Sequence, residues 1–107
     1  MLTVHKFDIR PEEDFAIMLP ESFKVVSVAS QPQGPVLYVL VETDGIRVER
    51  RFSVFGTGRR IPALAATGLE PLGTFGVYHS PFADEPPTNL YFHVFGPRTG
   101  GSFSGVR

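Results

Sequence analysis

The chain has 107 residues, 42% hydrophobic and 20% charged, with a formal net charge of −1. That length holds one domain with a core and excludes a core plus a separate catalytic domain. The near-neutral balance argues against general nucleic-acid binding, which needs a strongly basic surface. The chain has no cysteine, so disulfides, cysteine-ligated zinc, iron–sulfur clusters and a thiol nucleophile are all excluded. The N-terminus lacks a secretory pattern and no apolar run reaches about 18 residues, which predicts a cytoplasmic protein that does not enter a membrane.

In chain order, residues 2–9 have the β-branched and aromatic content of a strand, with Thr3, His5, Phe7 and Ile9 on one face. Arg10 to Asp14 break it. Residues 15–19 form a short apolar run closed by Pro20, which reads as an edge strand. Residues 23–30 are a clearer strand. A turn over Gln31 to Pro35 follows, and residues 36–41 are apolar on both faces, as in a central strand. Asp44-Gly45 predicts a two-residue hairpin turn, because the pair supplies the positive φ that such a turn requires. Its register sets Val41 opposite Val48, Val39 opposite Arg50 and Tyr38 opposite Arg51. Arg50 then shares a face with Val39, Val41, Val48 and Phe52, and needs either an opening to solvent or a partner.

Residues 61–68 suggest one short helical turn ended by Gly68. Residues 73–79 and 90–95 read as the last two strands, joined by a proline-rich loop at 80–89 that suits a lid or a partner-binding loop. The expected fold is all-β, a small antiparallel sandwich or partly open barrel of six to seven strands. A single β domain at 1–96 is followed by a glycine-rich C-terminal tail at 97–107, mobile unless something docks it.

Residues 47–61 hold five of the ten basic residues and run from an arginine-rich strand into Gly56-Thr57-Gly58-Arg59-Arg60. The loop has neither the P-loop nor the dinucleotide spacing. It suits an anion nest: amides of Thr57 to Arg59 around a phosphate or carboxylate, the Thr57 hydroxyl donating, and Arg59 and Arg60 clamping. The same glycines also suit a plain β-bulge with two solvated arginines. Arg51 adds charge, and Tyr38 beside it suits stacking of a base; Tyr78, Tyr91 and Phe92 are further stacking candidates.

His5, His79 and His93 all fall on expected strands, but no carboxylate is spaced to join them as metal ligands, and structural histidines are the expectation. His93 alternates with Tyr91 and Phe95 on one face. No nucleophile elbow or convincing carboxylate pair is present, so no catalytic residue, metal or cofactor is expected.

Several marks in order resemble a family of short bacteriophage and prophage proteins carrying a domain of unknown function. They are His5-Lys6-Phe7, Leu19-Pro20, Phe52-Ser53-Val54-Phe55-Gly56-Thr57-Gly58 followed by Ile61, Gly73-Thr74-Phe75, and Phe92-His93-Val94-Phe95. The 80–89 loop and the tail are longer than that pattern. The resemblance implies a phage-borne context in the host cytosol and no known activity.

The expected function is non-catalytic binding of an anionic, nucleotide-like small molecule, sequestering a host immune signal as an anti-defence sponge. One alternative is a protein-binding inhibitor of a host defence enzyme, acting through residues 12–14 and the 80–89 loop. Another is a small nucleotide-processing enzyme. An exposed edge at 15–19 would let two copies pair as a homo-oligomer.

Overall fold

The computed structural model describes residues 1–10, 14–61, 69–79 and 88–101. Its strands are β1 (Leu2–Asp8), β2 (Asp14–Pro20), β3 (Phe23–Gln31), β4 (Gly34–Glu42), β5 (Arg47–Gly56), β6 (Glu70–His79), β7 (Thr88–Gly96) and β8 (Thr99–Gly100). They form two four-stranded antiparallel sheets, ordered β1-β4-β3-β8 and β2-β5-β7-β6. The expected all-β sandwich is therefore present, and the sheets do not close into a barrel. The expected helical turn lies at residues outside those described except for Ile61, as do positions 11–13, 80–87 and 102–107.

Alternation places the core. On β1, half-buried Thr3, His5 and Phe7 alternate with exposed Leu2, Val4, Lys6 and Asp8. On β4, Leu37, Val39 and Val41 are fully buried, and they face Leu19, Phe52, Phe75 and Val94 of the other sheet in one apolar cluster. Each such Phe or Leu contributes about 1.5–3 kcal/mol by leaving water. β4 is central, as its two apolar faces predict, and β2 lies at a sheet edge.

The Asp44-Gly45 hairpin does not form. β4 pairs with β1 and β3, so both its edges are taken, and β5 pairs instead with β2 and β7. The tight hairpin in this part of the chain is at Pro32 and Gln33, where Gln31 faces Gly34. From there the β3–β4 pair runs to Phe23 opposite Val41, and both strands then cross together into the second sheet, where Pro20 faces Arg47. The ladder continues through the corner: the Glu21 amide donates to the Ile46 carbonyl at 2.9 Å and the Glu42 amide to Ser22 at 3.1 Å. Glu21 and Ser22 on one arm face residues 42–46 on the other, and Gly45, with φ of 118°, absorbs the excess on the outside of the bend. The Asp-Gly pair is used for its positive φ, but in a corner bulge.

Arg50 nevertheless lands on the apolar face, because alternation within β5 does not depend on its partner strand. It lies half-buried opposite Ile17, with its guanidinium carbon 5.4 Å from the centre of the Phe23 ring. Its buried Nε has no hydrogen-bond partner among the described residues. The partner that the apolar face demands is therefore an aromatic ring.

The glycine-rich segment is docked at its start. The Val25 amide donates to the Arg98 carbonyl at 2.7 Å, and Thr99 and Gly100 pair with Lys24 and Phe23. The Arg98 amide donates to Glu70 at 3.2 Å, and its guanidinium donates to the Pro71 carbonyl. This two-residue β8 raises the strand number above the expected six to seven, and Pro97 to Gly101 are not the undocked tail that composition suggests.

Candidate functional site

β5 and β7 bring the glycine loop against an aromatic surface on the outside of the second sheet. Strand alternation turns Ser53 and Phe55 of β5, Tyr91, His93 and Phe95 of β7, and Thr74, Gly76 and Tyr78 of β6 to this side. Phe55, His93 and Thr74 occupy one cross-strand row. The rings of Phe55 and Phe95 meet edge to face, 5.8 Å apart at 70°. Tyr91 is 51% exposed, and its ring lies over Gly76, where an added Cβ would stand 3.2 Å from Tyr91 Cε1.

A chain of hydrogen bonds joins this surface to the loop. Thr57 Oγ1 is 2.8 Å from His93 Nε2, and Thr74 Oγ1 is 2.8 Å from His93 Nδ1. Thr57 Oγ1 also reaches the Tyr91 carbonyl at 3.3 Å. A carbonyl only accepts, so the Thr57 proton goes to Tyr91 and His93 Nε2–H donates to Thr57, while Nδ1 of the same ring pairs with the Thr74 hydroxyl. Both ring nitrogens of His93 are thereby occupied.

The loop differs from the expected anion nest. The Thr57 amide donates to the Tyr91 carbonyl at 3.1 Å and the Arg59 amide to the Gly56 carbonyl at 3.0 Å. Those two amides and the Thr57 hydroxyl are used to close the turn, in which Gly58 has φ of 84°. The side chains of Arg59 and Arg60 are exposed beside this turn.

Tyr38 and Arg51 do not meet. Tyr38 lies in the first sheet between Lys6 and Ser27, its hydroxyl accepting from Gln31 Nε2 at 2.9 Å. Arg51 lies in the second sheet opposite Ala16, 3.6 Å from Glu49 in an exposed pair of small energetic weight. Their expected pairing rested on the Asp44-Gly45 hairpin and fails with it.

Of the other stacking candidates, Phe92 faces the core against Phe75, with ring centres 5.5 Å apart. Tyr91 and Tyr78 are exposed, at 51% and 70%. His5 belongs to the first sheet, beside Phe7, and His93 to the outside of the second. Among the described residues no group of three or more potential metal ligands is assembled. The Thr57–His93–Thr74 connection is absent from the sequence reading because it needs the β5–β7–β6 register. Its one sequence signal is the alternation of Tyr91, His93 and Phe95.

These features define a small antiparallel β-sandwich domain with an exposed aromatic surface beside an arginine-bearing loop. The chain belongs to the family described as Domain of unknown function (DUF7352), which matches residues 1–102. The match runs across the expected tail boundary at residue 97. No curated protein and no solved structure matches the chain. Among the described residues no helix is long and apolar enough to cross a membrane.

Proposed function

We propose that this domain is a non-catalytic binding protein for an anionic, nucleotide-like small molecule. The observation that carries this reading is the tie between the loop and the aromatic surface: Thr57 bonds the Tyr91 carbonyl and the His93 ring, so the segment carrying Arg59 and Arg60 starts beside an exposed aromatic residue. Guanidiniums neutralise phosphate and an aromatic face stacks a base, the two parts of a nucleotide site. Tyr91 takes the stacking role that the sequence reading gave to Tyr38. Gly56 to Gly58 shape the turn, and Arg51 contributes long-range charge.

In a phage-borne setting, sequestering a host signal in the cytosol is the natural use, and pairing of two copies along the β2 edge would bring two loops to one ligand. Inhibition of a host enzyme and nucleotide processing are the competing readings.

Calorimetry against cyclic and linear nucleotides tests this directly. Heat of binding is expected for at least one, lost in Arg59→Ala with Arg60→Ala and weakened roughly tenfold or more in Tyr91→Ala. No heat across the panel, or binding indifferent to these changes, defeats the sponge reading. Ligand recovered chemically altered after denaturing the complex favours the enzyme. A host-protein pull-down that survives nuclease treatment and depends on residues 12–14 or 80–89 favours the inhibitor.

A further inference from the structure

The outer face of the second sheet carries a second exposed ring beside Tyr91. Among the described residues, Tyr78 on β6 and Tyr91 on β7 are the aromatic side chains more than half exposed, at 70% and 51%. The other phenyl rings of this face, Phe55 and Phe95, are half-buried and pack edge to face on each other. Tyr91 lies opposite Gly76, and Tyr78 is two residues further along the same strand, opposite exposed Asn89. Alternation turns all four positions to one side, so the two tyrosines are diagonal cross-strand neighbours, about 7–8 Å apart across the ladder. Gly76 makes room between them: an added Cβ there would stand 3.2 Å from Tyr91 Cε1 and 3.4 Å from Tyr91 Cδ1, so the Tyr91 ring reaches over β6, the strand that carries Tyr78.

Charge lies on one side of this pair. Thr57, bonded to the Tyr91 carbonyl, starts the arginine loop on the β5 flank of β7, whereas β6 forms the opposite flank. β6 and β7 contain no lysine or arginine. A phosphate would therefore be neutralised at the loop, with Tyr91 the nearer ring and Tyr78 the farther one. The diagonal spacing is about twice the ~3.4 Å rise per nucleotide of a stacked strand. Two bases on these rings are thus separated from each other, each laid on its own tyrosine. We propose that the ligand of this site is a dinucleotide, two bases joined through phosphate, with Tyr91 taking the base next to the arginines and Tyr78 the second. Asn89, opposite Tyr78, supplies an amide for the edge of that second base. The inference rests on the nucleotide reading above and adds the size of the ligand. A longer strand fits less well, because neither β6 nor β7 continues the positive charge past Tyr78 and the chain's net charge is −1.

The test is calorimetry of the full chain with AMP and GMP, with the linear and cyclic dinucleotides of the same bases, and with their octanucleotides. At least one dinucleotide is expected to bind about tenfold or more tighter than its mononucleotide, the gain that one further stacked base supplies. The octanucleotide should bind no more than about threefold tighter than that dinucleotide, since it finds no further cations. Tyr78→Ala should cut the dinucleotide's advantage over the mononucleotide to about twofold or less, and Tyr78→Phe, which keeps the ring, should restore it. The Tyr78 ring is solvent-facing, so both variants should melt as the parent does. If mononucleotide and dinucleotide bind alike, or if Tyr78→Ala keeps the full advantage, the two-base inference is overturned while the nucleotide reading stands. An octanucleotide that binds far tighter than any dinucleotide overturns it in favour of a single-strand groove. If no nucleotide of any length binds, both readings fall.

Discussion

Glycine serves opposite purposes in two parts of the chain, at Gly58 in the loop after β5 and at Gly96 and Gly100 around the end of β7 and β8. Gly58 has positive φ, and nothing lies within 4 Å of where its Cβ would be. Gly96 and Gly100 are glycine because aromatic rings fill the space: an added Cβ would stand 2.4 Å from Phe52 Cδ1 at Gly96 and 2.4 Å from Phe23 Cε1 at Gly100. Glycine content therefore does not distinguish an open turn from a packed segment. The distinction lies in what the tertiary structure sets against the missing side chain.

Substituting each in turn probes that contrast. Gly96→Ala should have the largest effect, because Phe52 is 1% exposed in the core and has no room to retreat. Overpacking of this kind costs about 1–3 kcal/mol or more, to be read from the urea midpoint. Gly100→Ala presses on Phe23, but β8 is only two residues long and can lift away instead. Its expected cost is smaller, about 1–2 kcal/mol, with accelerated hydrogen exchange at the Val25 amide, which loses the Arg98 carbonyl. Unchanged exchange there would break the contrast between packed and open glycines.

Gly58→Ala should cost about 1 kcal/mol through backbone strain alone, and Gly58→Asn should recover part of it, since asparagine tolerates left-handed backbone. Equal loss in both variants would mean that the loop glycine is also packed.

The smallest expected effect lies at the corner bulge. The Met1 amine donates to Glu42, and its other carboxylate contact is Asp44 at 3.4 Å. The hydrogen bond to Glu42 raises the amine's pKa above its ordinary 8.0, with partial opposition from desolvation and support from the charges of Glu42 and Asp44. A raised folded-state value means that the contribution is complete below pH 8.0 and is lost as pH rises through the folded value. The group is fully exposed, so only a slight decline in melting temperature above pH 8 is expected, absent in Glu42→Gln with Asp44→Asn.

Much of the fold was legible from alternation. The β1 face and the inward turn of Arg50 follow from period-two patterning, the central place of β4 from its two apolar faces and the edge place of β2 from a short run closed by Pro20, all local properties of each strand. Strand partners were less legible. Asp44-Gly45 carries the signal of a hairpin turn, yet its positive φ serves equally well in a bulge at a corner. The choice between them depends on whether β4 has an edge left to offer, and β1 and β3 have taken both.

The same limit applies to the candidate site. The five residues from Gly56 to Arg60 were visible in the sequence, but their amides and the Thr57 hydroxyl were assigned to a ligand when Thr57 and Arg59 use theirs to close the turn. Tyr91, His93 and Thr74 were on the expected strands, but their meeting required a register between strands far apart in the chain.

By itself the sequence determined that this is a cysteine-free β fold, how the faces of the first strand divide, that Arg50 turns toward an apolar face, and where basic charge gathers. Those properties come from composition and from side-chain alternation, and neither needs a partner. Tertiary structure decided which strands pair, that the Asp-Gly turn is a corner, that Gly96 and Gly100 are packed against rings, and that Tyr91 and not Tyr38 stands beside the arginine loop. Those outcomes depend on competition for strand edges and core space, which only the assembled sandwich resolves.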